Sequence, residues 1–167
     1  MKSKIDPGLA GRPAVDILGS LDLMGNPSFV GAVVNGGPSG GALWWPNAAA
    51  LVSAPDGTNR LTVPEPGNVN IQIFGLNQDG LPRSNTADVA LGARSHIARR
   101  DADPSEKNLG FPVAVATDSV GQLLFVADTP NIPIEIPRPV ERVVVFDVEE
   151  SAVANYAAAI SCIGEKD

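Results

Sequence analysis

Apolar residues along this chain fall in short runs separated by tight polar turns, with the strand-like alternation of apolar and polar positions and no sustained helical period. Eight runs stand out, in two sets of four. The first set is 48–53, 60–63, 69–74 and 88–91; the second is 113–117, 122–127, 142–147 and 159–163. Turn-forming residues mark the divisions. Pro55-Asp56-Gly57 and Asp118-Ser119 follow the first run of each set, and Pro66-Gly67-Asn68 and Thr129-Pro130-Asn131 follow the second. Pro presets φ, Gly allows positive φ, and Asn or Asp can bond its own backbone, so these clusters reverse the chain. The pattern predicts an all-β protein with two four-stranded antiparallel sheets of the kind that form propeller blades.

The two sets are copies of one unit. AVDILG (14–19) recurs as ADVALG (87–92) and more faintly as AAISCIG (158–164), and the closing glycines Gly19, Gly92 and Gly164 lie 73 and 72 positions apart. Between these markers the landmarks keep their order. Trp45-Pro46 matches Phe111-Pro112, Leu61-Thr62-Val63 matches Leu124-Phe125-Val126, Asn68 matches Asn131, and Ile71-Gln72-Ile73-Phe74 matches Val143-Val144-Val145-Phe146. A constant interval of this length marks a repeat architecture in which one unit cannot bury its faces alone. The division is an N-terminal extension at 1–13, a first unit at 14–92 and a second at 93–167.

These residues resemble a known family. VAVATDSVGQLLFVADTPN (113–131), followed by RVVVFD (142–147), looks like the NHL repeat, whose blades read approximately GVAVD, LYVADTGN and RIQVFD. NGGPSGGALWWP (35–46) and the ILG, ALG and CIG markers are similar to the bacterial variety in which a VLGQPD-like marker precedes each blade. The Gly-Gln-Pro-Asp of that variety appears here as Gly19-Ser20-Leu21-Asp22, Gly92-Ala93-Arg94-Ser95 and Gly164-Glu165-Lys166-Asp167, and Pro64-Glu65 stands where the family has Ala-Asp. The resemblance implies NHL-like blades and a structural role for the turn that carries Asp128 and Asn131, with Glu65 and Asn68 at the matching turn. It also implies a ring of about six blades, and two units fall short of one while leaving strand edges unpaired. The expected partner is therefore the chain itself, as a homo-oligomer with a trimer as the leading geometry, or a larger protein assembly.

Charge narrows the partners further. With Lys+Arg 12 against Asp+Glu 19 the net charge is -7, which repels phosphate backbones and anionic membrane surfaces, so neither nucleic acid nor membrane insertion is expected. The basic stretch RSHIARR (94–100) is followed by Asp101, Asp103 and Glu106 and reads as a solvated loop. The start of the chain has no apolar stretch after its basic residues, so no export signal is expected; a surface or extracellular assembly stays open.

Candidate chemistry is sparse. His96 is the sole histidine, read as a surface-loop residue, so a three-histidine zinc site cannot form within one chain. Cys162, the sole cysteine, lies in an apolar run and reads as a buried thiol. No Gly-x-Ser-x-Gly elbow occurs, and the glycine-rich 35–41 is not followed by Lys-Ser/Thr. No cofactor is expected, with calcium the one ion kept open because propeller lactonases hold it through Asp, Glu and Asn. For recognition, the insertion 132–140 alternates Ile132, Ile134 and Ile136 with prolines that include Pro137, an apolar extended stretch that is costly to expose. Of the two tryptophans, Trp45 sits at the core-facing landmark, and Trp44 reads as core or as an exposed anchor. The function expected is a non-catalytic binding and assembly module for itself, proteins or glycans, such as a surface, filament or virion component. The alternative is a metal-dependent propeller hydrolase or lyase completed by oligomerisation.

Overall fold

The computed structural model describes residues 14, 16–20, 24, 26, 39–53, 57–96, 104–129, 141–149 and 154–164. It is all-β, and the described residues include no helix. Eight strands form two sheets, each an up-and-down antiparallel meander. The first holds β1 (Ala50–Ser53), β2 (Asn59–Glu65), β3 (Asn70–Gly75) and β4 (Val89–Leu91); the second holds β5 (Pro112–Thr117), β6 (Leu123–Asp128), β7 (Arg142–Asp147) and β8 (Ser161–Gly164). Each of the eight predicted runs overlaps one strand.

Local chemistry explains where the chain reverses. Between β5 and β6 the Asp118 carboxylate accepts the amides of Gln122 (2.7 Å) and Leu123 (2.9 Å), a side chain standing in for a backbone turn acceptor. Between β2 and β3 the Asn68 amide donates to the Glu65 carbonyl, and Val69 takes a left-handed φ of 61°. A β-branched residue rarely adopts that conformation; Val69 is held there with its side chain packed against the core.

The two sheets keep one register. Leu61 faces Phe74 across β2 and β3 as Leu124 faces Phe146 across β6 and β7, and Ile71 faces Leu91 as Val143 faces Ile163. Bonds outside the ladders recur as well. Ala87 donates to the Gly40 carbonyl (2.8 Å) as Ala159 does to Glu106 (2.7 Å), and Leu76 donates to Asn59 as Val148 does to Gln122 (both 2.9 Å).

Directly paired residues share a face, so each sheet has a front, carrying Leu61 and Phe74 or Leu124 and Phe146, and a back, carrying Ile71 and Ile73 or Val143 and Val145. The main core lies between the back of the first sheet (Val52, Ile71, Ile73, Leu91) and the front of the second (Leu124, Val126, Val144, Phe146). The sheets therefore stack front to back. A smaller cluster of Leu43, Val63, Phe74 and Ala87, with Leu18 and Leu61 against it, covers the front of the first sheet.

Candidate functional site

Both units end their second strand in a fully buried carboxylate that fastens the segment entering the sheet. Asp128 accepts the amides of Gly110 (2.8 Å) and Phe111 (2.7 Å), and its other oxygen meets the Arg142 guanidinium at 3.1 Å from the facing position on β7. Arg142 reaches past it to the carbonyls of Ser105 (3.0 Å) and Asn108 (2.8 Å). In the first unit Glu65 accepts the Trp44 amide (2.7 Å), and Gln72 donates both to Glu65 (2.8 Å) and to the Ser39 carbonyl (2.7 Å), while Asn68 donates to Glu65 as well. The entry segments also begin alike: Ser39 Oγ accepts the Ala42 amide and Ser105 Oγ the Asn108 amide. One clamp is thus an ion pair and the other is made of neutral amide donors. Burial pushes the Glu65 carboxyl above its ordinary value, and hydrogen bonds from Gln72, the Trp44 amide and Asn68 oppose that rise. These bonds tie strands to loops, which is structural work.

A second feature faces outward. All four residues of β8 are exposed, Ile163 at 60%. Beside it on the back of the second sheet, Phe125 and Val143 are only half-buried, and Ala114 and Ala116 are exposed. The outer edge of β4 is closed differently: the Ala90 amide donates to Asn155 Oδ1 (2.8 Å), and the Tyr156 amide donates to the Ala90 carbonyl (3.0 Å). Tyr156 is held there by its hydroxyl on Asn108 (2.9 Å) and by Arg94 and Lys107 over its ring.

Two expectations are corrected. Cys162 is exposed on β8, the edge strand of its sheet, where all four residues are exposed. Trp45 does not face the core: it is 59% exposed, and Trp44 is the half-buried one, its ring lying over Gly67. Glu65 pins the Trp44 amide, and Trp45 then takes a φ of 61°, turning its side chain away from the sheet. The rings stay in contact, with centroids 5.5 Å apart. His96 is half-buried, its ring against Gly40. Ile132, Ile134, Ile136, Pro137 and Asn131 lie outside the described residues.

Among the described residues no group of three or more His, Cys, Asp or Glu side chains is placed to hold a metal ion, and no helix is long and apolar enough to cross a membrane. A shallow depression lined by Asn59, Leu76, Asn77 and Arg83 has its polar groups engaged locally, Asn77 Oδ1 with the Asp79 and Leu81 amides and Arg83 Nε with the Leu76 carbonyl. The clamp roles of Glu65 and Asp128 were foreshadowed by their matching turns; the capping role of Asn155 and Tyr156 had no signal in the sequence. No protein-family model, no curated protein and no solved structure matches the chain.

Proposed function

We propose that this chain is a non-catalytic, NHL-like β-propeller module whose work is assembly, with itself or within a larger protein structure, and recognition of proteins or glycans through its loops. The observation that carries the reading is the front-to-back stacking of two meanders in one register, which ends in the exposed strand β8. Sheets stacked in this way form a series, and a series with an apolar, unpaired end invites another member. The buried polar groups support the same reading, since Glu65 and Asp128 are spent on fastening loops. Three protomers of two sheets each would close a ring of six.

Light scattering on a size-exclusion column, over a series of protein concentrations, tests the proposal. The expected result is a mass that rises with concentration toward three times the 17.2 kDa chain. A species of one chain mass at every concentration would sink the self-assembly reading.

A further inference from the structure

We infer that the back of the second sheet receives the front of the first sheet of another copy, so that protomers join head to tail through a repetition of the interface already inside the chain. The inference rests on the assembly reading above and specifies the surfaces that meet.

The internal interface is the template. Residues at matching ladder positions on the two backs differ in burial. Leu91 is 1% exposed under the second sheet, whereas its counterpart Ile163 is 60% exposed. Thr62 and Ile71 are fully buried, whereas their counterparts Phe125 and Val143 are only half-buried; Val145, like its counterpart Ile73, is buried. Among the described residues the back of the second sheet thus repeats the register of the first and is less fully covered, most of all along β8 and at Ala114 and Ala116 of β5.

The fronts show the complementary deficit. Leu124 is fully buried on the neighbouring back, but its counterpart Leu61 is only partly buried, and Leu51, paired with Leu61 on the same face, is 56% exposed. The occupant that fits a partly open back is therefore a partly open front, and this chain presents one of each. Such a contact uses two different patches, so it is heterologous and closes only as a ring.

The test uses two full-length variants at highly exposed positions, Ile163→Glu on the back and Leu51→Glu on the front, each kept reduced so that Cys162 cannot cross-link copies. A carboxylate buried without a partner in this contact weakens association by about 100-fold or more. Each variant alone is expected to run at one chain mass under conditions where the unaltered protein associates. Mixed, they are expected to form a species of two chain masses and nothing larger, because the Ile163→Glu chain keeps its front and the Leu51→Glu chain keeps its back. If Leu51→Glu still associates like the unaltered protein, the copies meet back to back or elsewhere: the head-to-tail arrangement is overturned while the assembly reading stands. If both variants associate unchanged, the faces named here are not the interface. An unaltered protein that stays monomeric overturns both readings.

Discussion

Glu65 and Asp128 occupy the same place in their units, yet burial acts on them through different partners. Asp128 faces the Arg142 guanidinium, whereas Glu65 faces amides, and desolvation holds its carboxyl above the ordinary carboxylate value. A group whose proton is held more tightly in the folded state than in the unfolded one adds stability that is fully present below the unfolded value, near 4.5, and is lost as pH rises through the folded value. The Glu65 contribution therefore grows as pH falls from neutral toward 4.5, and Glu65→Gln flattens that part of the profile, as urea midpoints between pH 7 and pH 5 will read. Asp128→Asn behaves otherwise at neutral pH: it leaves the buried Arg142 charge without its counter-charge and costs about 3–5 kcal/mol. The sequence aligned the turns that carry Glu65 and Asp128 but held no sign that one clamp would be ionic and the other neutral. Gln72 and Arg142 do related work from positions two residues out of register on β3 and β7, and that compensation needs the strands in place before it can be seen.

Strands were the most legible elements because their signal is local. β6, LLFVAD, alternates half-buried and buried residues as a strand with one core face must, and the turn at Asp118 announces itself by residue type. The marker glycines were legible too, and the structure gives their physical reason. Gly92 has a φ of 81°, and a Cβ there would stand 2.6 Å from the Leu109 side chain; Gly19, at 79°, meets Leu43 in the same way. Gly80 has a similar φ of 78° but open space around it. Gly92→Ala is thus expected to cost about 2 kcal/mol or more, from backbone strain and overpacking together, and Gly80→Ala only the strain, a difference that equilibrium unfolding of the two variants resolves. What could not be read was which strand ends the stack. The apolar run at 159–163 has the composition of a buried strand, and Cys162 looked like a core thiol for that reason; it is exposed on β8, the edge strand of its sheet. Trp45 misled for a related cause, since its side chain is redirected by a backbone turn held by a distant residue, Glu65.

At the scale of the whole molecule, two sheets share one core, and the repeated register gives the molecule a front and a back that are each partly covered, the back most exposed along β8. Copies carrying a net charge of -7 repel one another, so the proposed association is expected to strengthen as salt screens that repulsion, which light scattering at two salt concentrations reads. The same geometry singles out β8. Its counterpart β4 is sealed by Asn155 and Tyr156 within the chain, whereas β8 is exposed and, on the proposed assembly, is covered by another copy. Amide hydrogen exchange, followed strand by strand in dilute and in concentrated protein, tests this most directly. The account predicts that β4 exchanges slowly in both, and that β8 exchanges fast when dilute and becomes protected when concentrated, together with the back-face residues Phe125 and Val143. Protection of β8 equal to that of β4 in dilute protein, or exchange at β8 that stays fast at every concentration, would contradict it.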